Sequence, residues 1–596
     1  GAPGGVAKDL ASDRPHFGEI LRLRRARLDA GHDARQNDTS ATNHPHLATR
    51  RMGYAVTTEG RPRESASAPP HPRDAAAAAL RCRLAPGVRL VERPSGSWVV
   101  LSDPLRVWRV RPAALRLLAE CQAGQTVEAA AIAAGLRPAT ALRLLDRLAE
   151  QGAVYLEPID MDLPTVSVVI PVRNRPKAIL ACLDALDRLD YPRDRLEVIV
   201  VDDGSTDETP DVVARWTGSI TVRLIRLPLR QGPSACRNQG AAAARGEVLA
   251  FTDSDCLPEP SWLRDLTTEL ALPGVVAAGG AVLPVAEDGW LQRYEAVRSP
   301  LWQGPARAVV RPRAPVSYLA TCNLLVRREC FKAAGGFAAI DTGEDVDLIW
   351  RLCAAGGRVH YRPDGVVRHD HRDRLWPFLR RRAAYAASEA ELLRRHPESS
   401  RYLVVPLTLT VGLAGALAAA ASGRARLAPL GVVPPLVDPA LAIRRTCRAG
   451  APLAPTQVAR AVVRGYGAAL YWGAVNLSRY YALPALALSL VPRRSAPGRG
   501  LRAAVGLALL GTAVADWVRL RPRLSLPRFA AAHVFDALAY NVGVLAGCAR
   551  HRTLAPLRLQ IILGRSSGHL PQERGGPTQT AQPSATASTT TPQGKR

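Results

Sequence analysis

The spacing of apolar residues changes character near residues 80, 165 and 400. Before residue 80 there is no sustained periodicity, and Arg, Asp, Ser and Pro dominate. Residues 1–80 therefore read as a disordered basic arm. Over 82–158 the runs are short. Val88–Glu92, Trp98–Leu101 and Val107–Val110 predict strands, with Pro94-Ser95-Gly96 as a turn. Pro112 starts a helix backed by Leu115, Leu117 and Leu118. Thr126 caps a second helix that Gly135 ends. Ala139–Gln151 places Leu142, Leu145 and Leu148 on one face of a third, and Gly152 leads into a strand at Ala153–Leu156. Helices followed by a β wing predict a small winged-helix-like domain.

From 164 to 400 the rhythm becomes strand, helix, strand. Val166–Ile170, Glu197–Val201, Val222–Leu227 and Val248–Thr252 are mostly apolar, as parallel strands buried on both faces should be. Ala178–Leu189 between them is amphipathic. This alternation predicts an α/β domain with a doubly wound sheet, whose ligands bind at the carboxyl ends of its strands. From 401 to 565 the chain is hydrophobic and Ala-rich. Tyr402–Ser422 has no charge and is about long enough to span a bilayer. Gly465–Ser478, Tyr480–Pro492 and Ala503–Val518 are shorter or lie beside Arg479 or Asp516. One or more membrane-inserted or interfacial helices are expected, with a buried helical domain as the alternative. Residues 566–596, rich in Thr, Gln, Pro and Ser, read as a disordered tail.

Composition alters this picture only a little. The formal charge of the 596 residues is +27, carried almost wholly by arginine; the lysines are Lys8, Lys177, Lys332 and Lys595. Such a charge admits an anionic partner, but in an Ala/Pro/Gly-rich chain it is first a compositional bias, and no nucleic acid is expected. No pair among the ten cysteines is spaced C-x-x-C, which argues against a zinc or redox motif. Cys236, Cys256, Cys322 and Cys353 read as reduced core thiols, favouring a cytosolic compartment. The first long apolar stretch comes far into the chain, so no secretory signal is expected. The chain starts at Gly1 and its first methionine is Met52, so the true start is left open.

The candidate chemistry lies in acidic clusters within the α/β segment. Asp202 and Asp203 end a buried strand before Gly204-Ser205-Thr206. Carboxylates there can accept from a base N–H and a ribose hydroxyl, although turn chemistry alone also favours these residues. Asp253-Ser254-Asp255 ends another strand, and its oxygens suit a hard cation, Mg²⁺ or Mn²⁺. Glu344 and Asp345 open a helix. They either complement its dipole or supply a general base. His369 or His371 can complete a metal shell or meet a diphosphate. Arg237, near the start of an Ala-rich helix, can orient Asp203 or neutralise phosphate.

Ser167-Val168-Val169-Ile170-Pro171, Val200-Val201-Asp202-Asp203-Gly204-Ser205-Thr206-Asp207, Gly232 to Gly240, Asp253-Ser254-Asp255, and Gly335-Gly336-Phe337 with Glu344-Asp345 together resemble the family-2 inverting glycosyltransferases of GT-A fold. That resemblance implies that Asp203 binds the nucleotide, Asp253 and Asp255 the ribose and the metal, and Asp345 acts as the base. It implies that His369 or His371 assists the metal. Many members place a base-stacking Tyr two residues after the position of Pro171; here Arg173 stands there. The Q-x-x-R-W signature of processive synthases is replaced by Arg381-Arg382-Ala383-Ala384-Tyr385.

The domain order further resembles glycosyltransferases of the mycofactocin type, with an N-terminal module similar to PqqD-like peptide-recognition domains. This implies transfer of glucose from UDP-glucose onto a peptide-derived redox cofactor, in the cytoplasm or at the cytoplasmic face of the membrane. Two rival readings stand beside it. One is a membrane glycosyltransferase with a lipid or cell-wall acceptor. The other is a winged-helix nucleic-acid-binding regulator with a degenerate sugar-binding domain.

Overall fold

A computed structural model describes residues 76–102, 105–400, 402–422, 428–490 and 496–564. Most of the arm and all of the tail expected to be disordered lie outside these residues. The small N-terminal domain contains β1 (Leu80–Leu84), β2 (Val88–Arg93), β3 (Gly96–Ser102) and β4 (Leu105–Val110). The helices Pro112–Glu120, Val127–Ala133 and Pro138–Glu150 follow, then β5 (Val154–Pro158). Thr126 caps the second helix through a hydrogen bond from the Ala129 N–H, as its position predicts. The β wing differs from the expected one. The antiparallel sheet β2-β3-β4 precedes the helices, and β5 after them pairs antiparallel with β1. The domain thus begins at or before Leu80, inside the stretch read as arm, because β5 needs a partner for its backbone groups.

The second domain is built on an eight-stranded sheet in the order β13-β15-β11-β14-β9-β6-β7-β8. In chain order these are β6 (Val166–Val172), β7 (Leu196–Asp202), β8 (Thr221–Arg226), β9 (Val248–Phe251), β11 (Val275–Gly279), β13 (Ala308–Val310), β14 (Leu324–Arg327) and β15 (Arg358–Tyr361). The run β9-β6-β7-β8 is parallel, and β14 turns antiparallel between β9 and β11. Val168, Val169, Ile170 and Val198–Val201 are fully buried, which explains their unbroken apolar runs. Strand order reverses around β6, with β7 on one side and β9 on the other. A crevice therefore opens at their carboxyl ends, where residues 171–175, 202–207 and 253–255 lie.

A second small sheet holds β10 (Cys256–Pro258), β12 (Val282–Pro284) and β16 (Val367–His369), in the order β10-β16-β12. The helix Pro233–Ala243 crosses from β8 to β9 close against the sheet. A Cβ on Gly240 would come within 2.3 Å of Val169 Cγ1, so only glycine permits that approach.

The C-terminal region is helical but is not organised as its hydropathy predicts. Tyr402–Ser422 is not one span. Its first five residues form β17 (Tyr402–Pro406), paired in parallel with β18 (Gln560–Gly564), and the helix that follows, Leu407–Ser422, is only 16 residues long. That helix is too short to cross a hydrocarbon core. Gly465–Ser478, Tyr480–Pro492 and Ala503–Val518 overlap the helices Pro455–Asn476, Ala482–Leu490 and Ala496–Leu520. Among the described residues, one helix is long and apolar enough to cross a membrane: Leu526–Arg550, which the hydropathy pattern did not single out. It lies along the helix Leu375–Arg395. Gly543 and Gly547, four residues apart, meet the backbone at Ala383 and Ala387, and a Cβ would stand 2.1 Å and 2.4 Å from their carbonyl oxygens. Its buried Asp536 is 3.2 Å from Arg382 Nε and accepts from the Tyr294 hydroxyl at 2.9 Å. These contacts join the C-terminal helices to the α/β domain.

Candidate active site

The acidic clusters converge on the crevice, held by partners of different kinds. Asp202 ends β7 and accepts from the Ser205 hydroxyl and N–H, which fastens its own turn. Asp203 is buried and accepts backbone N–H bonds from Gln231 at 2.6 Å and Gly232 at 3.1 Å. Gly232 has φ +92, a conformation other residues rarely adopt, and this turn starts the Pro233–Ala243 helix. Asp203 thus shapes the crevice wall through backbone contacts.

Arg237 on that helix is only 5% exposed. It does not reach for Asp203. Its Nη2 bonds Asp253 Oδ1 at 2.6 Å and its Nη1 bonds Glu344 Oε1 at 2.9 Å. Burial alone would lower the arginine's pKa, but Asp253 and Glu344 outweigh it and hold it above the ordinary value. One guanidinium therefore clamps the second acidic cluster to the third, using a fork geometry lysine lacks. The next residue, Asn238, bonds both the N–H and the carbonyl of Phe337 at 2.9 Å, fixing the Gly335-Gly336 turn.

Asp345 stands in the first turn of the helix Glu344–Ala354, after Gly343 at φ +88. It is partly open to the crevice although protein surrounds most of it. Burial, with the Glu344 carboxylate beside it, pushes its carboxyl up to about 7. A carboxylate so tuned is suited to proton transfer near neutral pH. Asp347, two residues further on, is buried and bonded by Arg351 and by His396 Nε2 at 3.0 Å.

Strand register decides between the two histidines. β10 starts immediately after Asp255 and pairs antiparallel with β16, with Cys256 opposite His369. His369 Nε2 therefore lies 3.9 Å from Asp255 Oδ1, and its Nδ1 is buried with no hydrogen-bond partner. Ligand atoms of Asp255, Cys256 and His369 lie within 4.8 Å of one another. Burial and Cys322 push the Cys256 thiol well up, so it does not offer a thiolate. The remaining carboxylate and imidazole fit a hard cation such as Mg²⁺ or Mn²⁺. His371 is buried beside His369, with ring centroids 5.2 Å apart. Burial and the neighbouring His369 lower its pKa to about 3, so it is neutral, but it is not part of the cluster with Asp255.

Pro171 lies at the end of β6 beside the crevice, and Arg173 is exposed after it. The structure adds Arg175 and Arg372, which the pattern does not reveal, and gives the Arg381 to Tyr385 segment a place. Arg175 Nη1 bonds Asp255 Oδ2. Arg372, Arg381 and Tyr385 line a small cleft with His369 and His371, and Arg381 lies 5.1 Å over the Tyr385 ring. The residues after Val172 carry no periodic signal, so only their meeting in space shows Arg175's partner. The Arg381–Tyr385 spacing of four on a helix is the one signal that pairs those two residues.

Acidic clusters stand at the ends of β7 and β9 of this sheet, and residues 167–335 match the family described as Glycosyl transferase family 2. The chain belongs to this family of transferase enzymes. Over 480 residues it is 32% identical to the pre-mycofactocin glycosyltransferase of Mycobacterium tuberculosis, covering 78% of this chain and 95% of that protein. It is also 31% identical over 214 residues to the glycosyltransferase AglE of Haloferax volcanii, covering 35% of this chain and 68% of the relative. Among solved structures, a mannosyltransferase from Pyrobaculum calidifontis, in complex with GDP-Man and Mn²⁺, is similar at a TM-score of 0.33 and 23% identity, covering 52% of this chain and 88% of that one.

Proposed function

We propose that this glycosyltransferase is inverting and dependent on Mg²⁺ or Mn²⁺, and that it moves glucose from UDP-glucose onto a hydroxyl of a peptide-derived redox cofactor of the mycofactocin type. The observation that carries the mechanism is the Arg237 clamp, which brings Asp253 and the Glu344-Asp345 pair to one crevice. In this reading Asp345 takes the proton of the acceptor hydroxyl. The acceptor oxygen attacks the anomeric carbon from the face opposite the diphosphate, and the bond from that carbon to the UDP oxygen breaks. Asp255 and His369 would hold the divalent cation, whose charge would offset that of the leaving diphosphate. Asp202, Asp203, Asp253, Pro171 and Arg173 line the nucleotide side, with Arg237 holding Asp253 in place.

The acceptor assignment is supported by the pre-mycofactocin relative, which is matched over nearly its whole length. The N-terminal sheet is compatible with it, since β2 and β4 are edges to which an extended peptide can add. We place the enzyme in the cytoplasm or at the cytoplasmic face of the membrane. Leu507, Leu510, Val514 and Val518 are exposed on one C-terminal helix, which suits an interfacial contact. The deciding experiment is incubation of the full chain with UDP-glucose and either the peptide-derived acceptor or a lipid acceptor, read by mass. Hexose addition to the peptide-derived acceptor is expected. Transfer to the lipid alone would move the assignment to the membrane rival.

A further inference from the structure

Asp255 is shared between two cationic demands. Together with His369 it forms the cation site proposed above, yet its Oδ2 is bonded by Arg175 Nη1. Arg175 approaches from the loop between β6 and the helix Pro176–Asp187. Its backbone N–H is fixed to Thr209 Oγ1 at 2.9 Å, so the stem is anchored. Its side chain is 47% exposed, so the head can turn away at little packing cost. The neighbouring Asn174 ties the same loop to the nucleotide side, accepting from the Thr206 N–H at 2.9 Å.

We propose that Arg175 is an internal counter-cation for Asp255, which yields this carboxylate to the divalent ion only when the donor's diphosphate offers its guanidinium a new partner. The inference rests on the metal reading of Asp255. The physical reason is charge balance. A dication drawn to Asp255 without an added anion meets a guanidinium already on the same carboxylate, and like charges at that range repel in a partly buried site. A diphosphate brings the negative charge that accommodates both cations. Metal and donor binding are then coupled, and by linkage each tightens the other equally. Arg175 acts as a positioning residue: it sets the order and cooperativity of loading.

The test is binding of Mn²⁺ to the full chain, measured by the electron paramagnetic resonance of free Mn²⁺, with and without UDP. Wild type should bind Mn²⁺ weakly alone and more tightly with UDP. Arg175→Gln should bind Mn²⁺ alone about fivefold more tightly, the upper range for a partly exposed ion pair, and should show a smaller UDP enhancement. Arg175→Lys retains a cation and should fall between the two, which separates the charge effect from loop damage. If Arg175→Gln binds Mn²⁺ alone no better than wild type while Asp255→Asn loses binding, the Arg175 inference is wrong and the metal reading stands. If Asp255→Asn binds Mn²⁺ as wild type does, the metal reading itself fails.

Discussion

Replacing Asp345 by asparagine separates chemistry from fold with a single atom change. The carboxyl titrates near 7 because it is buried beside Glu344. It is therefore about half ionised at pH 7 and about one-tenth ionised at pH 6. If it is the base, wild-type transfer at low acceptor should fall tenfold per pH unit below 7. Asp345→Asn should lower turnover by about 10²- to 10⁴-fold, the usual contribution of a positioned base, and should abolish that acidic limb. Donor binding should persist, because the Arg237 clamp uses Glu344 and Asp253. Stability moves the other way. A folded-state pKa above the unfolded value favours folding below about pH 4, and that contribution is lost as pH rises to 7. The shift corresponds to at most about 4 kcal/mol, reduced by the group's partial exposure. Asp345→Asn should thus be as stable as wild type at pH 8, or more so. Initial rates from pH 5 to 9, UDP binding by calorimetry and thermal melts provide the readouts. Near-normal turnover, or an unchanged acidic limb in the variant, would refute the base assignment.

Excess EDTA should abolish transfer and Mn²⁺ or Mg²⁺ should restore it; full activity in EDTA would contradict the cation site at Asp255 and His369. Arg237→Met leaves two carboxylates facing one another around an apolar side chain, and should cost about 3–5 kcal/mol by the measure of broken buried pairs; a melt within a degree of wild type would show that the clamp contributes little. Asp203→Ala frees the Gln231 and Gly232 N–H groups and should raise the donor KM more than it lowers kcat, as steady-state kinetics will show. Gly547→Leu places a side chain where a Cβ alone already meets Ala387 O at 2.4 Å. Limited proteolysis should then release the C-terminal helices, and an unaltered digest would mean that the helix pair is not tightly packed.

The unbroken apolar runs at β6, β7 and β9, and the acidic residues that end two of them, were readable without coordinates. Burial on both faces of a parallel strand leaves a local signature, and ligand sites on such sheets lie at strand ends. Thr126 as a cap was readable for the same reason, since its hydrogen bond closes within three residues. The same kind of local reading went astray at Tyr402–Ser422. Hydropathy does not distinguish a strand leading into a short helix from a span, and the partner of β17 is β18, more than 150 residues later. Only the tertiary structure could choose His369 over His371 for Asp255, because that follows from the register of β10 on β16. It alone directed Arg237 to Asp253 and Glu344, and brought Arg175 to Asp255. Sequence by itself determined which residue types end which strands, since each position's burial is written in its neighbours. Which charges meet depends on contacts between residues distant in the chain, 107 residues apart for Arg237 and Glu344, and no local pattern encodes that distance.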